Sequence, residues 1–201
     1  MAREGRLSPD RRIAIILFVA GIIGIVASFV LSVEKIQLLK NPDAQLGCNI
    51  NPIISCGSVI QSKQAEAFGF ANPYIGLVGF AVLITIGMGI LAGAKYKRWF
   101  WLGLEAGAIF GIGFVHWLFY QAVFNIEALC PFCMVVWAVT IAVFVYVTIY
   151  NIQSKNIVVP KSLLPAAAIA DKYAWAITIG WWMVIAGFIL NQFWYYWKTL
   201  I

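Results

Sequence analysis

Long uncharged apolar runs alternate with short polar connections along this chain. Five runs are long enough to cross about 30 Å of hydrocarbon, which takes on the order of 20 helical residues. They are Ile13–Val33, Tyr74–Ala94, Trp99–Phe124, Leu129–Tyr150 and Tyr173–Trp197. Only helices and closed barrels satisfy every backbone group in lipid. A barrel would need stretches of about ten residues with alternating character, which are absent, so the pattern predicts an all-α polytopic membrane protein. The first run follows Arg3, Arg6, Arg11 and Arg12, as a secretory signal would. It is longer than the roughly 7–15 apolar residues of such a signal and has no Ala-x-Ala ending, so a retained anchor is expected.

Composition sharpens this reading. The 201 residues are 63% hydrophobic and 11% charged, against roughly a quarter charged in soluble domains. That excludes a water-soluble fold, a disordered chain and a disulfide-stapled secreted mini-domain. The net charge of +6 does not require a nucleic-acid partner, because the basic residues sort by topology. Ten fall in the N-terminal tail, in Lys95–Arg98 and at Lys155, Lys161 and Lys172; four, Lys35, Lys40, Lys63 and Lys198, fall in the alternate segments. The positive-inside rule then predicts a cytoplasmic N-terminus and an external C-terminus, and the expected location is a cell's inner membrane. The expected organisation is a cytoplasmic tail (1–12), a four-helix domain (13–153) with an external loop (34–73), a cytoplasmic linker (154–172) and a fifth transmembrane helix (173–201). Aromatic residues at the run ends, such as Tyr96, Trp99, Trp101 and the cluster Trp194–Trp197, fit interfacial belts.

The external loop is much the longest connection, and its apolar patches Ile53-Ile54 and Phe68-Gly69-Phe70 suit a lid over the mouth of a bundle. Asn51-Pro52 reads as the cap and first turn of a short helix. Inside the third run, Gly103, Gly107, Gly111 and Gly113 predict close helix packing in the small-x-x-x-small manner. Glu105 lies near that run's start, where it can reach an interface or a neighbouring helix. His116 has no carboxylate nearby in sequence and reads as a neutral, hydrogen-bonded packing residue. Tyr120, Gln121 and Glu127 lie towards the loop side, with Glu127 close enough in sequence to bear on the titration of Cys130.

All four cysteines fall on the predicted external side, where thiols can form lasting disulfides. Cys130-Pro131-Phe132-Cys133 opens the fourth run. A C-x-x-C at a helix start sets its sulfurs near unsatisfied N–H groups, which favours thiolate and exchange chemistry. Pro131 suits the first helical position, making Cys130 the cap. Cys48 and Cys56 lie in the loop, where they can relay electrons to Cys130, form a permanent staple, or join the other pair on zinc. Zinc is disfavoured because knuckle spacing is missing, and no metal is expected. A dithiol at the membrane edge needs a lipid-phase electron acceptor, and a quinone is the available one.

The order C-x7-C in a loop, a serine six residues on, then C-P-F-C opening a later helix resembles the vitamin K epoxide reductase (VKOR) family over about residues 13–150. The order of the two pairs is the reverse of that in DsbB-type oxidases. The resemblance implies a four-helix bundle around a quinone, menaquinone or ubiquinone, plus the fifth helix. It implies that Cys48 receives electrons from a thioredoxin-fold, DsbA-like partner, that Cys56 attacks Cys130, and that Cys133 lies against the quinone. It places Ser62 and Asn72 as quinone-site residues, although Asn72-Pro73 also fits a helix cap. Vertebrate members carry Tyr where this chain has Trp137, whose indole donates but cannot accept a hydrogen bond. This departure bears on quinone geometry and on epoxide reduction. Bacterial members often carry a fused thioredoxin-like domain; here the partner is expected to be a separate protein, and the expected activity is oxidation of protein dithiols for disulfide formation in exported proteins. Reduction of vitamin K quinone or its epoxide is the alternative within the family, and a stapled, non-enzymatic membrane protein the alternative outside it.

Overall fold

A computed structural model describes residues 8–199; the first seven residues of the predicted tail, with Arg3 and Arg6, lie outside them. Among the described residues, five helices are long and apolar enough to cross a membrane. The first, α1 (Pro9–Lys40), starts where Ser8 Oγ accepts from Arg11 N–H at 3.3 Å and Pro9 fills the first turn. It continues seven residues beyond the apolar run, because charge bounds the hydrocarbon-compatible stretch and not the helix: Glu34, Lys35, Gln37 and Leu38 are all good helix formers. The loop therefore begins at Asn41.

After a five-residue helix, α2 (Cys56–Ile60), come α3 (Pro73–Leu91), α4 (Arg98–Tyr120) and α5 (Pro131–Gln153). α4 ends in a widened, π-type turn, Gln121–Ile126. The segment predicted as a plain linker holds a short helix, α6 (Leu164–Lys172), and the fifth span is α7 (Ala174–Gln192). The backbone leaves the helical region at Phe193 before the turn α8 (Trp194–Trp197), so the last apolar run is two helices and not one.

α3 packs along α1, and α1 and α4 both pack on α5, around Leu17, Phe80, Leu83, Trp101, Val143 and Val147. Small residues do bring helices together here, but at the α1–α3 seam: a Cβ on Gly87 would lie 2.8 Å from Ala14 O and 2.9 Å from Phe18 N. The glycines of α4 do something else. Among the described residues, nothing lies within 4 Å of a Cβ built on Gly103, Gly107 or Gly113, and of these four glycines only Gly111 meets a neighbour, Thr140 Cγ2 at 3.4 Å. The spacing that predicted tight packing instead leaves space beside α4, which stands apart from α3.

Glu105 is buried and fully engaged. Its two oxygens accept from Thr148 Oγ1 at 2.7 Å and Asn151 Nδ2 at 2.8 Å, tying α4 to α5 at the end of the bundle away from the loop. His116 is held on both ring nitrogens: Nδ1 is 2.8 Å from Ile112 O, and Nε2 accepts from Trp181 Nε1 at 3.0 Å. That pairing requires the neutral imidazole with its proton on Nδ1. It also ties α7 to α4, while Trp182 Nε1 donates to Ala138 O of α5 at 3.2 Å.

Candidate redox site

The site is assembled by a single point of strand-like pairing. Asn51 Oδ1 accepts from the N–H groups of Ile53 and Ile54, at 3.0 and 2.7 Å, so residues 51–54 form an Asx-type turn in place of the predicted helix start. Ile54 then pairs in parallel with Leu129: Leu129 N–H donates to Ile53 O at 2.7 Å, and Ser55 N–H donates to Leu129 O at 2.9 Å. Ser55, not Asn51, caps the short helix, accepting from Ser58 N–H. This register sets Cys56, the first residue of α2, beside Cys130, the cap of α5, with 3.2 Å between the sulfurs.

Cys48 and Cys56 are joined by a disulfide, and Cys130 and Cys133 are free thiols. Asn49 Oδ1 braces the closed loop by accepting from Gly57 N–H at 3.0 Å and Ser55 Oγ at 3.2 Å. The pair does not ride on a free arm. Cys48 is 6% exposed and Cys56 0%, packed with Leu31, Leu38, Leu46, Ile60 and Cys130. Cys130 has its thiol drawn below the ordinary range by the hydrogen bond with Cys133, against the upward push of burial, and the backbone N–H groups of Cys133 and Phe132 add to the lowering. Glu127 is exposed, in left-handed backbone (φ 56°) at the end of the widened turn, and the acidic side chain that bears on Cys130 is Glu34 of α1.

Below the cysteines, between α3 and α4, lies a cavity of about 530 Å³ whose wall is overwhelmingly apolar. Cys130, Cys133 and Trp137 line it from α5, and Gly103 and Gly107 from α4. Ser62, Gln64, Asn72, Gln121 and Lys35 supply its polar groups at the loop end. Ser62 Oγ donates to Val59 O at 2.7 Å. Asn72 stands at the cap position of α3 but makes no capping bond. Its Nδ2 donates to Gln64 O at 2.7 Å and its Oδ1 accepts from Ala67 N–H at 3.1 Å, so it clamps the turn Lys63–Glu66 over the cavity. Trp137 is buried, edge-on to Phe119 with ring centroids 5.4 Å apart. Gln121 accepts from Gln64 Nε2 at 3.4 Å, whereas Tyr120 is exposed and away from the cavity.

The sequence profile described as the vitamin K epoxide reductase family matches residues 15–148, two thirds of the chain, spanning both cysteine pairs and the cavity. The chain belongs to the vitamin K epoxide reductase family. A search of curated proteins finds no match. Membership makes this multi-pass membrane protein an oxidoreductase of a family that works with quinones. The match ends inside α5, so α7 and Phe193, which is fully buried against Ile53, Leu129 and Trp137, are additions to the family's matched region that brace its redox centre.

Two contributors escape sequence reasoning. Lys35 Nζ lies 2.8 Å from Glu66 Oε1 and donates to Ile60 O at 3.2 Å, so α1 holds the loop from below. Glu34 is buried with both carboxyl oxygens on Cys48 Sγ, at 3.1 and 3.2 Å. It falls one residue beyond the apolar run, and its spacing from Cys48 carries no periodic signal. Glu34, Cys48 and Cys56 are also the three side chains, among the described residues, that converge closely enough to hold a metal ion, but the closed disulfide leaves their sulfurs without thiolate.

Proposed function

We propose that this protein is a thiol:quinone oxidoreductase that reoxidises a separate thioredoxin-fold, DsbA-like partner and so drives disulfide formation in exported proteins. The observation that carries the reading is the 3.2 Å approach of Cys56 to Cys130, with Cys133 of the same C-x-x-C on the wall of an apolar cavity. Reduced partner thiolate attacks Cys48 and Cys56 leaves. Once both loop thiols are free, Cys56 attacks Cys130 of an oxidised C-x-x-C, and Cys133 leaves towards the cavity.

The cavity fits an isoprenoid quinone, menaquinone or ubiquinone, on two counts. Its volume lies within the roughly 300–1,000 Å³ of small-molecule sites, and its wall is apolar with polar groups gathered at the loop end. The quinone supplies a two-electron, two-proton acceptor. Ser62, Asn72 and Trp137 would hold it beside Cys133: Asn72 retains a second amide hydrogen beyond the one given to Gln64, and the Trp137 indole can only donate. The gap between α3 and α4 would admit its tail from lipid. The excess of basic residues in alternate connections supports an inner-membrane protein with a cytoplasmic N-terminus and the cysteines on the external face.

The test combines purified protein, a reduced dithiol partner and a quinone analogue, with quinone absorbance as the readout. Cys133→Ala is expected to abolish quinone reduction. Undiminished reduction by that variant would refute the relay.

A further inference from the structure

In the closed loop disulfide neither sulfur carries a proton, yet both carboxyl oxygens of Glu34 sit within 3.2 Å of Cys48 Sγ. Such a contact is favourable when the proton is on the carboxyl, with O–H donating to sulfur. Glu34 is buried, and among the described residues no cation lies within salt-bridge distance of it; the adjacent Lys35 is turned to Glu66. The titratable groups in the same buried cluster as Cys48 are Cys56, Cys130 and, at its edge, Cys133, the reacting cysteines themselves. A lone carboxyl aimed at one sulfur of a redox pair is placed to take that sulfur's proton when the bond closes.

We propose that Glu34 is the general base for Cys48 in the step that closes the loop disulfide. The inference rests on the relay read above, in which Cys56 becomes linked to Cys130. Cys48 then attacks Cys56: the Cys48–Cys56 bond forms, the Cys56–Cys130 bond breaks, and the electron pair of the broken bond stays on Cys130 as thiolate. Cys48 and Cys56 end oxidised and the C-x-x-C reduced by two electrons in all. The Cys48 proton moves to a Glu34 oxygen. When partner thiols later reopen the loop and release Cys48 as thiolate, Glu34 returns that proton. The observed arrangement, with a closed loop, free Cys130 and Cys133 and a carboxyl against Cys48, is the product of this step.

The size of the effect follows from thiol chemistry. An unassisted thiol with pKa about 8.5 is only about 3% thiolate at pH 7, so removal of the base is read as closure slower by about 30-fold at that pH. The slowed rate should climb about tenfold per pH unit towards 8.5. The experiment uses the full chain in lipid nanodiscs with a reduced dithiol partner and a quinone analogue. It is quenched with acid and alkylating reagent, and the disulfides are mapped by mass spectrometry. Glu34→Gln is expected to accumulate the Cys56–Cys130 cross-link at pH 7 and lose it as pH rises, while Glu34→Asp restores a flat profile. If Glu34→Gln matches wild type at pH 7, or is slowed equally at every pH without the cross-link, Glu34 is not the base. If wild type itself passes no electrons to quinone, the relay fails and not merely the role of Glu34.

Discussion

Filling the slot beside α4 separates two roles that its glycines could have. Nothing lies within 4 Å of a Cβ on Gly107, which lines the cavity. The first carbon of a side chain there meets no clash, and Gly107→Leu replaces a poor helix former with a good one. The expected stabilisation is about 0.8–1 kcal/mol, seen as a raised melting temperature in detergent or nanodiscs. The same four carbons occupy space read here as the quinone's. At about 0.8 kcal/mol per buried methylene, displacing an equal length of tail weakens quinone binding by about 3 kcal/mol, or roughly 100-fold. The assay is the quinone KM with a long-tailed analogue, alongside the melt. Gly113→Leu is the control: it is equally unobstructed but does not line the cavity, so it should raise stability and leave KM unchanged. A lowered melting temperature for Gly107→Leu would mean that this face packs against another helix. An unchanged KM would mean that the quinone binds elsewhere.

Phe193→Ala empties a fully buried site against Leu129 and Trp137 and is expected to destabilise the protein by about 3–5 kcal/mol, measured by reversible denaturation in mixed micelles. In the reduced protein, Cys130 is held below the ordinary thiol range, first by Cys133. The stability this gives is fully present above the unfolded thiol value of about 8.5 and is lost as pH falls through the lowered folded value. The ultraviolet thiolate signal of Cys130 should accordingly appear below the ordinary range, and Cys133→Ala should move its midpoint upward; an unmoved midpoint would refute the hydrogen bond as the cause.

Spans were legible in the sequence because lipid demands a length of uninterrupted apolar residues, and that demand leaves a local mark. The cap at Cys130 and the first-turn Pro131 were legible for the same reason, since capping chemistry acts within one turn. What could not be read depends on partners distant along the chain. Gly103 and Gly107 have the spacing of a packing seam, but whether a helix faces them is decided by α3 leaning on α1. Ile54 looked like part of a helix start until its partner Leu129 was known. Asn72-Pro73 looked like a cap, yet its side chain serves the preceding turn and not the helix that follows. Glu34 carried no motif at all: its meaning comes from a helix that continues past the apolar run far enough to reach Cys48.

The burial of the loop disulfide has a consequence for leakage. An enzyme joining a pool of thiols to a strong lipid-phase oxidant would, with exposed sulfurs, burn quinone on every small thiol in its surroundings. With Cys56 sealed and Cys48 only 6% exposed, little of either residue is open to a freely diffusing thiol. In the proposed relay, a donor would have to displace the packing around Cys48 before its thiol could attack. On that reading, the packing of Leu38 and Leu46 with the pair would act as electrical insulation, setting which donors can complete the circuit before any sulfur chemistry begins.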